Sequence, residues 1–551
     1  MENEIKIKKG LKVGELEAEA DHKYLNHAFI DNGTLDLLVN TNEHASIIVG
    51  RTGTGKSALI YKISATVENS IYLDPNNISI SFLENSNIIQ FLTELGIKLD
   101  LFYRLLWRHI LVLELIKKRY NIKDTSENKN FLQRISNWGG KSNPKRELAI
   151  TYFRDWGEKF WQDTEEHIKE ITDKFTSDVK AAISTSNIPV DYSLSGAKSL
   201  SSETKMEIKN LATKAVNQIQ IQKLNEVLEA LGEEAFDDNQ KKYHILIDKL
   251  DENWAETETR CRFIRALIEE IKVFRKLQQI KIIAALRQDL LEIILDNTRD
   301  SGFQQEKYEA YFVYLKWNKE DLKKLLEERV SKMYEYQYTK KDVRFDDIFP
   351  KIKQGQMPID YIIERTLLRP RDIIQFANEC FLQSESMTTI TWRKIAAAEH
   401  NYSKKRLQSL IEEWGEYYPS LKYTIEILRE IPSTFTRSQI DNKKIEDLSA
   451  ELYDLQNDDP CIKIARNLYD KSTSSSSDFL NQLLVCFYTI GLIGIKTSST
   501  TPFLWSYIDQ NNISKSEAKR ANQIKIHKMY RQALDIRDNR YTNENDDHLE
   551  Q

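Results

Sequence analysis

Cysteine is scarce and scattered. The 551-residue chain has four, at Cys261, Cys380, Cys461 and Cys486, and no two share the spacing of a zinc site or a disulfide framework. Reduced, mostly buried thiols are the expectation. Long hydrophobic runs are also missing. The most apolar helix-like segment, Leu101 to Ile116, is interrupted by Arg104, Arg108, His109 and Glu114 and is too short to span a bilayer. The opening Met1-Glu2-Asn3-Glu4-Ile5-Lys6-Ile7-Lys8-Lys9-Gly10 lacks the apolar core of an export signal, so a soluble, cytoplasmic protein with no membrane partner is expected. Neither sign of charge dominates: 79 Lys and Arg against 84 Asp and Glu leave a formal net charge of −5. Nothing global therefore demands nucleic acid or an acidic surface. No nuclease, protease or deaminase motif is present.

Glycine is sparse as well, 17 in all, which makes one glycine-rich window conspicuous. Gly50-Arg51-Thr52-Gly53-Thr54-Gly55-Lys56-Ser57, followed by Ala58, fits the phosphate loop G-x-x-x-x-G-K-[ST] without a mismatch. Ala45-Ser46-Ile47-Ile48-Val49 ahead of it reads as a buried strand, and the residues from Ala58 to Ile63 read as a helix. Strand, glycine turn and helix are the setting this chemistry needs. Backbone N–H groups face inward, the Lys56 ammonium reaches the β- and γ-phosphates, the Ser57 hydroxyl ligates Mg²⁺, and the helix dipole favours the anion. ATP and Mg²⁺ are the expected cofactors.

Such a loop is paired with an acidic strand end that holds the metal. The run Tyr243-His244-Ile245-Leu246-Ile247-Asp248 is apolar until its last residue, which makes Asp248 the metal-side carboxylate; a plain turn-capping Asp is the alternative. The stretch Ile247-Asp248-Lys249-Leu250-Asp251-Glu252-Asn253-Trp254 resembles the I-D-D-L-D-R segment of KAP and STAND ATPases, within the AAA+-like group. That resemblance implies a second acidic residue directly after the metal-binding Asp, where this chain has Lys249. Asp251 or Glu252 is then the group that orients the attacking water. The strand-like Gln279 to Leu286 ends in Arg287, much as the sensor-1 strand of those families ends in a polar or basic residue. Leu368-Arg369-Pro370-Arg371-Asp372 looks like the R-P-R-D segment that opens their lid helix. By that resemblance Arg287 and Arg371, or Arg369, face the γ-phosphate.

The expected fold class is α/β: a P-loop NTPase core of AAA+-like type with a large helical insertion, a helical lid and a C-terminal winged-helix-like domain. Residues 1–87 are the lead-in and the first part of the core, and 88–239 form the insertion. Its aromatics Trp107, Trp138, Trp156 and Trp161 are expected to be core, with a loop from Ser184 to Ser202. Residues 240–310 carry the acidic and sensor strands, 311–410 the lid, with Asn318 capping a helix, 411–537 the winged-helix-like domain, and 538–551 a disordered tail. In the C-terminal region Gly491 to Ile495 and Phe503 to Tyr507 read as two strands of one hairpin, and Ser472 to Ser477 as a flexible connector. The helix from Phe479 to Tyr488 has no Lys or Arg, so a protein-contacting wing is favoured over DNA, which stays a weakly supported partner.

The function these features point to is a nucleotide-dependent switch or regulator, of the kind that serves bacterial defence or mobile-element systems beside a separate effector. Homo-oligomers are compatible with this, and Arg260, Arg262 and Arg299 are available as fingers acting across subunits. Two alternatives stand: a nucleotide-gated scaffold that does not hydrolyse, favoured by Lys249, and a DNA-stimulated AAA+ ATPase.

Overall fold

The computed structural model describes residues 6–31, 33–75, 86–136, 144–157, 164–185, 190–217, 221–234, 236, 238, 240–252, 257–297, 305–336, 343–471, 473–509 and 513–536. Asn253, Trp254, Arg299, Trp138, Trp161, the side chain of Trp156 and the C-terminal tail lie outside them. The chain divides into two compact units. One comprises 31–51 and 55–315; the other comprises 1–30, 52–54 and 316–551.

The first unit is built on five parallel strands: β1 (Ile47–Gly50), β2 (Ser70–Leu73), β3 (Tyr243–Ile247), β4 (Ile280–Arg287) and β5 (Phe312–Tyr314). They run in the order β2-β3-β4-β1-β5. A strand covered on both faces reads as a near-continuous apolar run. Accordingly every residue of β1 and β3 is buried, and so are all of β4 but Arg287, whereas the edge strands β2 and β5 show mixed burial. β4 stands between the phosphate-loop strand and the acidic strand. Its register pairs Arg287 with Gly50, and Ala284 with both Ile47 and Ile247. The C-terminal ends of β3, β4 and β1 therefore lie side by side at one end of the sheet. This mixed α/β arrangement with a parallel sheet is consistent with a P-loop NTPase fold.

Between β2 and β3 the described elements are all helical, from Asn87–Glu94 to Ile221–Glu234. The central helix, Asp100–Tyr120, buries twelve of its residues and packs on Thr257–Phe274, the helix that follows β3. Trp107 packs its ring against that of Phe263, tilted, at 4.6 Å and donates its indole N–H to the Phe263 carbonyl at 2.9 Å. Beside it the Glu270 carboxylate receives Arg108 at 2.6 Å and Arg104 at 2.9 Å. Glu270 is fully buried and Arg108 nearly so, and such charges persist inside a protein only when paired. The region expected to be a loop before Ser202 contains a short helix, Leu194–Ser199, because the Ser193 hydroxyl accepts the Gly196 N–H at 3.0 Å.

The second unit contains the helices Lys319–Glu335, Pro370–Gln383 and Trp392–Trp414, with Asn318 capping the first through the Asp321 N–H at 2.8 Å. A three-stranded antiparallel sheet follows, of β6 (Thr434–Phe435), β7 (Ile493–Lys496) and β8 (Gln523–Ile526) in the order β6-β8-β7. Helices Asn442–Tyr453, Pro460–Tyr469 and Ser476–Thr489 lie between β6 and β7 in sequence. The hairpin differs from expectation. β7 pairs with Gln523–Ile526, and the Phe503 to Tyr507 run contributes only a bridge from Leu504 to Ile495. The Asp509 carboxylate accepts the Trp505 N–H at 2.7 Å and closes that run into a helical turn, Ser506–Asp509. The serine tract is also more ordered than expected at its end. Ser475 and Asp478 form a reciprocal cap on Ser476–Thr489. All four cysteines are buried thiols. Among the described residues no helix is long and apolar enough to cross a membrane.

Candidate functional site

Gly50 ends β1, and Gly55, at φ +96°, is the residue from which helix Lys56–Thr66 begins. A β-carbon at Gly55 would meet nothing within 4 Å, so glycine is needed there for its left-handed backbone rather than for space. Gly53, at φ +80°, has a second reason. A β-carbon would lie 2.9 Å from Cβ of Arg371. The Lys56 ammonium folds back inside the turn and donates to the Gly50 and Arg51 carbonyls at 3.1 and 3.2 Å. Burial lowers its pKa below the usual lysine range, opposed first by the Asp251 carboxylate.

Asp248 follows β3 directly and is 4% exposed. Burial raises its pKa, opposed first by the nearby Ser57 hydroxyl. Thus the last motif residue of the loop and the acidic strand end meet across β4, although 191 positions separate them. One Asp248 oxygen also accepts the Lys249 N–H at 2.9 Å. Lys249 adopts φ +61°, and its ammonium lies 3.6 Å from the Asp74 carboxylate past the end of β2. The turn then places Asp251 with an oxygen 3.8 Å from Nε of Arg287. Glu252 is exposed, and its carbonyl accepts the Arg260 guanidinium at 3.2 Å. Arg287 is gripped by Asp289 through both Nε and Nη2.

Lys56, Ser57, Asp248, Asp251 and Arg287 therefore share the C-terminal end of the sheet in the first unit. In the second, the loop tip Thr52–Thr54 is held by residues that its own sequence does not reveal. Arg369 donates to the Thr52 carbonyl at 3.0 Å, and the Trp317 indole to the Thr54 carbonyl at 2.8 Å. Arg369 is 3% exposed and also binds Asp372 at 2.9 Å, with Glu413 at 3.5 Å. Arg371 donates its amide to the Gly53 carbonyl at 3.3 Å and its Nε to the Leu16 carbonyl at 3.2 Å. Burial lowers its pKa, with the neighbouring Arg369 charge acting in the same direction. Of the arginines considered for action across subunits, Arg260 is 1% exposed. It is an internal support of the Asp248 turn, not a surface finger.

The residues present fit a nucleotide with its metal. The Thr52 hydroxyl is buried with no hydrogen-bond partner. The helix N-terminus opens at Lys56, and the Ser57 hydroxyl and the Asp248 carboxylate stand beside it. Among the described residues no cluster of three or more His, Cys, Asp or Glu could hold a metal by itself. A Mg²⁺ completed by phosphate oxygens and water needs no such cluster.

Comparison with known proteins gives three findings. Residues 320–411 match the FunZ-associated C-terminal helical domain. The chain is 23% identical over 504 residues to the curated transposon gamma-delta 80.3 kDa protein of Escherichia coli K12, a match covering 89% of this chain. It spans 62% of that relative's length. The Walker-type ATPase of Pyrococcus abyssi aligns over 93% of this chain and 99% of its own, at 13% identity and a TM-score of 0.31.

Proposed function

We propose that this chain is a Mg-ATP-binding P-loop ATPase that works as a nucleotide-dependent conformational switch. One observation carries the reading: the buried Asp248 carboxylate that follows β3 lies beside the Ser57 hydroxyl of the glycine turn and within the field of the Lys56 ammonium, both of which lower its pKa. Bound Mg-ATP supplies a γ-phosphoryl group for transfer to water. Lys56 and the loop amides neutralise phosphate charge, while Ser57 and Asp248 hold the metal. Asp251 or Glu252 orients water, and Arg287 and Arg371 respond to the γ-phosphate. The resemblance to KAP and STAND ATPases, together with the transposon name of the curated relative, supports a regulatory role in a mobile-element or defence setting beside a separate effector. The three helices and antiparallel sheet of residues 434–526 support the winged-helix-like reading of that region.

Equilibrium binding of ATP with Mg²⁺ to the full chain tests the proposal. Micromolar-range binding that is lost in Lys56→Ala supports it, and identical uptake by both proteins refutes it. A non-hydrolysing scaffold is the second reading, favoured by Lys249 in the place of the usual second acid. Phosphate release separates the two. Wild type that binds but does not turn over, and gains turnover on Lys249→Asp, is a scaffold.

A further inference from the structure

The second unit has a cleft of about 100 Å³ whose lining is strongly cationic. Lys319, Lys525, Lys528 and Arg531 face it against a single carboxylate, Glu364. That carboxylate is already engaged by Lys528 at 3.0 Å and by the Gln356 amide at 3.0 Å. One wall is aromatic: the His527 ring meets those of Trp505 and Tyr507 edge to face, each at 5.3 Å. The His527 Nδ1 accepts the Met529 N–H, so its Nε2 donates to the Tyr507 oxygen at 3.1 Å, which keeps the imidazole neutral and its plane fixed. The floor includes Leu368, a branched residue held at φ +49°. Such backbone persists only where its surroundings over-determine it, and it gathers at ligand clamps.

Cations converging on a preformed cleft with a rigid aromatic side are the chemistry that holds a phosphate group. We infer that the cleft bounded by Lys319, Lys525 and Arg531 is a second ligand site, separate from the glycine turn, that takes a small phosphate-bearing molecule. It goes beyond the ATPase reading and stands or falls independently of it.

Calorimetric titration with inorganic pyrophosphate at low salt tests this. The full chain carrying Lys56→Ala, which disables the loop, is compared with the same chain carrying Lys319→Glu and Lys525→Glu as well. Both added positions are exposed or half-buried, and circular dichroism verifies folding. The site predicts saturable binding by the first protein, weakened about tenfold or more by the two reversals. Equal binding by both proteins, or none by the first, overturns it. A short oligonucleotide that displaces pyrophosphate at lower concentration than AMP does would overturn the assignment to a small molecule in favour of a nucleic acid.

Discussion

Lys56 and Asp248 are two opposite charges held out of water within reach of each other's field, and each is shifted by burial toward its neutral form. Anionic phosphate and Mg²⁺ favour the charged forms, so the ligands should repay this burial. Replacing Lys56 by alanine removes charge-assisted hydrogen bonds worth roughly 1.5–3 kcal/mol, and ATP affinity should fall about 10- to 100-fold. Fluorescent-nucleotide titration measures this. Ser57→Ala should instead leave binding of metal-free nucleotide nearly unchanged and abolish the gain on adding Mg²⁺. His527 offers a check that needs no ligand. Burial lowers its pKa to about 3 from 6.5, so below pH 6.5 the unfolded chain binds a proton that the folded one refuses. Stability should therefore fall as pH drops from 6.5 towards 3. His527→Asn keeps an acceptor for the Met529 amide and should flatten that slope in denaturant melts at stepped pH.

How much of the site could be read from residues alone differs between neighbours. The glycine turn and Asp248 are legible because strand, turn and helix are encoded locally and the chemistry needs fixed residue types. The arginines are not. Arg369 and Arg371 flank one proline in R-P-R-D, and no spacing rule says which of them is locked among Asp372, Glu413 and the Thr52 carbonyl. Arg260 looks like any helix-surface arginine until burial shows it supporting the Glu252 carbonyl.

At the scale of elements, the loop tip is a suspended structure, with Arg369 and Trp317 each holding one of its carbonyls. Removing the first support leaves Asp372 and Glu413 facing each other with less cationic charge between them. Arg369→Ala should cost roughly 3–5 kcal/mol, the usual penalty for breaking a buried ion pair, read as a lower denaturation midpoint. The C-terminal sheet shows why strands are harder to place than helices. Phe503 to Tyr507 has the aromatic content of a strand, yet tertiary pairing gives β7 to Gln523–Ile526 and the Asp509 cap bends the run away. Close packing holds it there. A β-carbon on Gly494 would lie 2.6 Å from the Trp505 ring, so Gly494→Ala should displace the indole and change its fluorescence while the far-ultraviolet spectrum stays that of the wild type.

At the scale of the whole molecule, the fold class was legible because a phosphate loop and two further apolar strands suffice to specify a parallel sheet. The insertion between β2 and β3 was recognisable as helical from its periodicity, but its attachment was not. Helical spacing says which residues are buried and nothing about what covers them. The attachment is through Trp107 and the Arg104, Arg108 and Glu270 group. Glu270→Ala should leave the buried Arg108 without its carboxylate and cost about 3–5 kcal/mol, measurable by urea melts of the first unit's signal.

Among the described residues the apolar interior of that unit is continuous. Side chains from Ile88 through Leu231 belong to the same buried cluster as Ile47, Ile245 and Ile282 of the sheet. Excising the helical segment would leave Phe263, Ile264 and Leu267 as a bare greasy scar, and the shortened protein would clump. Calorimetry of the intact molecule should accordingly show the helices and the strands melting as one cooperative body, with no early shoulder for the insertion.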